Sequence, residues 1–349
     1  MRPSVLVTRA TFPDVVERLR AHADVTVNPY DALWSRAELI ERLRGKAGMV
    51  AHGSDRVDAE LLDACPQLKF VCSVGVGYNH IDVPACTARG VLATNTPGVL
   101  TETTADLGFA LLMATARRVT ESERFVRRGE WTKTGIHDQF AGAEVHGATL
   151  GILGMGAIGR AVARRGARGF DMPVIYHNRS RLDPALEAES GACYVSKDEL
   201  LAQADHLVLV LPYSASSHHA IGAAELARMK PTATLVNIAR GGIVDDAALA
   251  EALRAGTLAA AGLDVFEGEP RVNPALLDLP NVVLTAHIGS ASIRTRRAMG
   301  TLAVDNLVAA LGLGATPGRP PTPINPEVLA ASASASPSPS ASTSEGTAS

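Results

Sequence analysis

One short stretch constrains this chain more than any other: Thr149-Leu150-Gly151-Ile152-Leu153-Gly154-Met155-Gly156-Ala157-Ile158-Gly159-Arg160. It reads as a buried strand, a Gly154-x-Gly156-x-x-Gly159 turn and the first turn of a helix. In a dinucleotide-binding unit the first glycine permits the tight turn and the second lets the backbone approach a pyrophosphate. The third lets helix and strand pack closely. The helix N-terminus adds unpaired N–H groups and a partial positive charge. Glycine turns between strands and helices also occur for packing reasons alone, so the surrounding sequence has to decide.

That surrounding sequence alternates short apolar runs with helical periodicity. Strands are expected at 4–8, 25–27, 48–51, 69–73 and 91–93, with helices at 14–21, after Ser35, and at 58–64. A long apolar helix is expected over 101–118, with Glu102 and Arg117-Arg118 matching the helix dipole and Ala105, Gly108, Ala110 and Ala114 allowing close packing. Beyond the glycine turn, further strands are expected at 174–177, 207–211, 234–237, 260–264 and 282–285. Asp245 or Asp246 caps a helix that ends at Gly256, and a closing helix runs over about 292–311. Such alternation predicts an α/β fold with parallel sheets covered on both faces. Ligands then sit beyond the carboxyl ends of the strands. Two loops at such ends stand out, 51–54 with His52 and the glycine-rich 73–78, whose N–H groups suit a carboxylate.

Composition narrows the rest. The 349 residues are 46% hydrophobic and 20% charged with a formal net charge of −3, enough for two cores and without a basic block for nucleic acid or a membrane surface. No apolar run has membrane-spanning length, and the start enters a strand directly, which predicts a cytoplasmic protein without a signal peptide. Cys65, Cys72, Cys86 and Cys193 lack CxxC spacing, so neither a metal site nor a disulfide framework is expected. The irregular segment 129–147, with Trp131, His137 and Phe140, has the length of an arm reaching a partner subunit. Residues 331–349 are an Ala/Ser/Pro-rich tail expected to be disordered.

The polar residues of the second half gather just past strand ends: Arg240, Asp264, Glu269 and His287. Singly, each has a bland explanation as a surface charge or a structural histidine. Together at the carboxyl edge of a sheet that carries a dinucleotide turn, they suit reduction of a ketone beside a carboxylate. Arg240 offers a forked, permanently charged donor for the substrate. His287 is the acid that protonates the forming alkoxide, and Glu269 beside it would favour the imidazolium.

The stretches Asn237-Ile238-Ala239-Arg240-Gly241-Gly242, Gly262-Leu263-Asp264-Val265-Phe266-Glu267-Gly268-Glu269-Pro270 and His287-Ile288-Gly289-Ser290 resemble the motifs of D-isomer-specific 2-hydroxyacid dehydrogenases. The resemblance spans about residues 4–328. Within the family it is strongest to bacterial reductases of glyoxylate, hydroxypyruvate and 2-ketogluconate, through 73–78, Val99–Thr103, Gly129–Thr132 and Val304–Leu307. It implies two Rossmann-like or flavodoxin-like domains with a deep active-site cleft between them. The substrate-binding domain would be 1–100 with 288–330, and the NAD(P)-binding domain 101–287. It also implies a homodimer, and backbone N–H groups of Val76 and Gly77 on the substrate carboxylate beside Arg240. Asp264 would hold the nicotinamide carboxamide. Met155, Ala157, Ile158, Pro212, Thr104, Ile238, Ala239 and Gly289 would join the three glycines around the cofactor.

The cofactor type is read at the second strand of that domain. An NAD-preferring site carries an acidic residue there for the ribose 2′-OH. Here the sequence is His177-Asn178-Arg179-Ser180-Arg181, without a carboxylate. A 2′-phosphate would be attracted rather than repelled, which predicts NADP(H) in preference to NAD(H), with NAD(H) still usable. Other enzymes of the fold remain open, such as phosphoglycerate or phosphite dehydrogenases. Glu269 speaks against the formate enzymes, which have Gln there, and the shortness of the chain after 330 against the phosphoglycerate enzymes with a regulatory domain. A dinucleotide-sensing binding protein of the same fold is the alternative from another class.

Overall fold

The computed structural model describes residues 2–133 and 139–334; His137 and residues 335–349 lie outside the described residues. The chain divides into two compact units, one built from Met1–Pro97 with Arg297–Ser349 and one from Gly98–Arg296. The chain passes between the units at Pro97/Gly98 and again inside the continuous helix Ile293–Ala310, whose later turns pack on the first sheet.

The first unit holds a parallel sheet in the order β2-β1-β3-β4-β5, from β1 (Ser4–Val7), β2 (Asp24–Val27), β3 (Gly48–Ala51), β4 (Phe70–Ser73) and β5 (Leu92–Thr94). Alternate residues serve opposite faces, as pleating demands. Leu6, Met49, Ala51 and Val71 pack with Leu39, Leu43, Leu61 and Leu62, whereas Val5, Val7 and Val50 pack with Val15, Leu19, Val304 and Leu307. Gly48 is what lets the closing helix approach: a Cβ there would lie 2.6 Å from Leu307 Cδ1. Local chemistry starts the helices where expected. Ser35 and Glu38 form a capping box before Arg36–Leu43, and Asp58 accepts the Leu61 N–H at 3.1 Å before Ala59–Ala64.

The second unit is a seven-stranded parallel sheet in the order β12-β11-β10-β9-β6-β7-β8. Its strands are β6 (Leu150–Leu153), β7 (Val174–His177), β8 (Ala192–Tyr194), β9 (His206–Leu209), β10 (Thr234–Asn237), β11 (Ala260–Leu263) and β12 (Val282–Leu284). The central strands are buried along their whole length, as strands covered on both faces must be. The chain builds outward from β6 through β7 and β8, then crosses to β9 and builds the other way. That places the reversal of strand order between β6 and β9, where such sheets open a crevice.

Three expectations need correction. The long helix stops at Ala116: Arg118 takes a left-handed φ of 53°, its guanidinium bound twice to Glu121, and a separate helix Val119–Arg127 follows. The strand expected over 207–211 is His206–Leu209, because the His206 ring is itself core, bonded to Thr234 Oγ1 and the Glu144 carbonyl. The first residues of the tail, 331–334, belong to the helix Glu327–Ser334.

Candidate active site

The glycine turn follows β6 at the point of strand reversal, and its three glycines do different work. Gly154 has φ +104° and lies so close to the end of β9 that a Cβ would be 2.6 Å from the Leu211 nitrogen. At Gly159 a Cβ would strike the carbonyl oxygen of Gly154, so only hydrogen fits between turn and helix. Gly156 is exposed and a Cβ there would meet nothing within 4 Å. The middle glycine is therefore not demanded by the protein's own packing. An open approach at the start of the helix Ala157–Gly169, which no side chain caps, fits a pyrophosphate. Met155 is buried below the turn, while Ala157 is exposed and Ile158 half-buried on the helix's first turn.

Asn178 braces this turn from the end of β7, its Oδ1 accepting the Met155 N–H at 2.7 Å. Arg179 and Ser180 are exposed, and among the described residues Arg179 makes no ion pair. Arg181 is committed elsewhere, donating from Nε and Nη2 to the two oxygens of Glu187 at 2.8 Å each. That guanidinium and the Tyr176 hydroxyl at 2.6 Å hold the Glu187 carboxyl down at about 2. Of the two arginines in this loop, only Arg179 remains for a ligand.

At the other strand ends, β12 leads into His287, which has a left-handed φ of 52°. Its N–H donates to the Asp264 carbonyl at 2.9 Å, and its Nδ1 lies 2.8 Å from Glu269 Oε2. Glu269 is steadied by the Phe266 N–H on Oε1 at 2.9 Å, and its peptide bond to Pro270 is cis. Burial raises the Glu269 carboxyl, but His287, the Phe266 N–H and the Arg240 charge outweigh it and keep it below its usual range. Arg240 is half-buried and its Nη1 donates to the Ala239 carbonyl at 2.6 Å. Burial lowers its pKa, while Glu269 acts in the opposite direction. The structure thus brings Arg240, Glu269 and His287 together.

Asp264 is where the expected arrangement meets a second demand. It is 2% exposed, and its carboxylate takes the Thr285 hydroxyl at 2.7 Å and the N–H groups of Ile288 and Gly289 at 2.8 Å each. This buried side chain therefore holds the loop that carries His287, a task its place at a strand end did not reveal. Thr104 is buried beside it, a Cβ at Gly289 lying 3.2 Å from Asp264 Oδ2 and 3.3 Å from Thr104 Cγ2. Ile238 and Ala239 are core residues with only backbone to offer, and Pro212 is exposed.

In the first unit, Val76 and Gly77 are half-buried in the loop after β4. Thr96 Oγ1 accepts the Gly75 N–H at 2.9 Å and Asn95 Nδ2 donates to the Val76 carbonyl at 2.8 Å, fixing the loop. Among the described residues the N–H groups of Val76 and Gly77 have no partner, as an anion cradle requires. Beyond β3, the loop that stood out for His52 also holds two polar partners the sequence did not announce, Thr8 and Asp55. Asp55 is buried and accepts from the Thr8 hydroxyl and the His52 N–H, and burial pushes the His52 imidazole below its ordinary value.

Comparison with known proteins agrees with this geometry. The NAD binding domain of D-isomer specific 2-hydroxyacid dehydrogenases matches residues 109–289. The glyoxylate reductase of Thermococcus onnurineus is 47% identical over 332 residues, covering 94% of this chain and 98% of its own. Glyoxylate/hydroxypyruvate reductase B of Klebsiella pneumoniae is 46% identical over 316 residues, 89% of this chain and 96% of its own. Among solved structures, the NADPH-dependent glyoxylate/hydroxypyruvate reductase of Sinorhizobium meliloti, in complex with NADP and malonate, superposes with a TM-score of 0.81 at 37% identity. That match covers 93% of this chain and 97% of the other. With the dinucleotide turn, the reversed sheet and these relatives in agreement, the chain belongs to the D-isomer specific 2-hydroxyacid dehydrogenase family of oxidoreductases.

Proposed function

We propose that this protein reduces small 2-oxo acids, glyoxylate and hydroxypyruvate first among them and 2-ketogluconate as a further substrate, to D-2-hydroxy acids with NADPH. The observation that carries the reading is the His287–Glu269 pair at 2.8 Å with Arg240 beside it at the carboxyl edge of the second sheet. The relatives named above support the substrate class.

When bound, the dihydronicotinamide supplies a hydride to the carbonyl carbon. Arg240 orients the substrate carboxylate and polarises the adjacent carbonyl through its forked donors. His287 keeps Nδ1–H on Glu269, which fixes the ring and leaves the Nε2 proton to pass to the carbonyl oxygen. Glu269, held ionised, stabilises the imidazolium before that transfer. The N–H groups of Val76 and Gly77 take the substrate carboxylate. Arg179 and Ser180 receive the 2′-phosphate, Asn178 setting the loop from which they project.

Two further expectations belong to the same reading. A homodimer is supported by the helix Val119–Arg127, which buries none of its residues and leaves Val119, Val126 and the following Trp131 about half exposed. A reducing, cytoplasmic setting suits four free cysteines, three of them buried. Among the described residues no helix is long and apolar enough to cross a membrane.

Steady-state kinetics with glyoxylate, hydroxypyruvate, 2-ketogluconate and pyruvate, each with NADPH and NADH, test the proposal. Glyoxylate or hydroxypyruvate with NADPH should give the highest kcat/KM. A higher value with NADH overturns the cofactor assignment. Cofactor binding without turnover of any 2-oxo acid points instead to a dinucleotide-sensing protein.

A further inference from the structure

Away from Arg240 and His287, a second group of polar side chains converges in the second unit. His218 and His219 lie before the helix Ala223–Leu226, and Glu267 lies after β11. One ligand atom from each comes within 4.8 Å of the other two. The imidazole rings are stacked, with centroids 3.9 Å apart and planes 23° apart. His219 Nε2 is 3.1 Å from Glu267 Oε2.

Backbone contacts hold these three groups in register. The His219 N–H donates to the Gly242 carbonyl at 2.7 Å, and the Glu267 N–H donates to Asp246 Oδ2 at 3.1 Å. Gly242, at φ +76°, brings the turn after Arg240 so near that a Cβ would lie 3.4 Å from His218 Nδ1. Behind each ring lies an oxygen, within hydrogen-bond distance for His218 and at ion-pair distance for His219. The Tyr213 hydroxyl is 3.2 Å from His218 Nδ1, and Asp245 Oδ2 is 3.9 Å from His219 Nδ1. With Nδ1–H on the Tyr213 hydroxyl, His218 Nε2 carries a free lone pair. A simple ion pair needs one histidine and one carboxylate. It does not explain the second, stacked imidazole.

We propose that His218, His219 and Glu267 bind a divalent transition-metal ion of the zinc class. Two imidazole nitrogens and one carboxylate oxygen make a three-ligand set with a fourth position open to water. The His219 and Glu267 side chains are 34% and 45% exposed, so an ion reaches them from solvent. Binding ties the 213–222 segment to the loop that also carries Glu269.

Isothermal titration of the EDTA-treated full-length protein with ZnCl2 tests this. One saturable site per chain is expected. His218→Ala and Glu267→Gln should each weaken it by about tenfold or more. His287→Ala should leave it intact, since it removes only the neighbouring His–Glu pair. Thermal melts guard against misfolding: Zn2+ should raise the Tm of the unaltered protein but not that of His218→Ala. Lack of saturable binding at millimolar Zn2+ overturns the proposal. So does binding that persists in both His218→Ala and Glu267→Gln, or that vanishes in His287→Ala alone.

Discussion

His287 sits in a left-handed backbone conformation, its ring on Glu269 and its N–H on the Asp264 carbonyl. If it is the acid, His287→Ala should lower kcat by about 10²–10⁴-fold while the Kd for NADPH changes little, the range general acid–base catalysis spans. Stopped-flow kinetics with fluorescence titration of NADPH separates the two, and an unchanged kcat removes His287 from the role. Arg179→Ala should weaken NADPH binding and spare NADH, whereas an equal loss for both counts against a 2′-phosphate contact. The types and order of these residues were legible in the sequence. The commitments of their neighbours were not. Arg181 looked equivalent to Arg179 until its pairing with Glu187 appeared, and nothing in the sequence showed that the Asp264 carboxylate also holds the loop bearing His287. Such commitments depend on residues distant in sequence, which periodicity cannot report.

At the scale of the element, the glycine turn separates folding from binding. Gly156→Ala has φ −74° and open space, so the Tm should stay near that of the unaltered protein while NADPH binding falls. Gly159→Ala forces a Cβ into the Gly154 carbonyl and should cost about 1–3 kcal/mol, read as a lower urea midpoint. Equal stability losses in the two variants would contradict these roles. β9 carries a pH-sensitive element in His206, whose pKa burial pushes below the ordinary 6.5. The unfolded chain then binds the proton first, so stability present above about 6.5 drains away as the pH falls toward the lower folded value. The urea midpoint should drop between about pH 7.5 and pH 5.5, and drop less in His206→Gln. Helix caps such as Ser35, Asp245 and Gly256 were readable because capping is local. The break at Arg118 was not, because nothing in an Arg-Arg pair announces a left-handed residue.

At the scale of the whole molecule, parallel α/β architecture was legible from alternation, whereas the chain's return to the first sheet was implied only by the resemblance, and the contacts that fix it were not legible. Polar side chains there reinforce an isolated bridge between Thr94 and Pro323. Asn306, fully buried, donates to the Leu302 carbonyl at 2.9 Å and Thr322 Oγ1 at 2.8 Å and accepts the Thr322 N–H at 2.9 Å. Asn325 accepts the Ala93 N–H at 2.8 Å. Asn306→Leu should cost about 1–3 kcal/mol for each buried group left unpaired, and urea denaturation should show it. The second unit is an insertion between the two halves of the first. A chain leaving the ribosome therefore has all seven strands of the inserted sheet in hand before the turns bearing Val304 and Leu307 exist. Until then Val5, Val7 and Val50 have Val15 and Leu19 beside them but not the closing helix, so one face of the first sheet is only partly covered. The core of the first unit is thus completed only by the closing helix, which is made after every strand of the inserted unit.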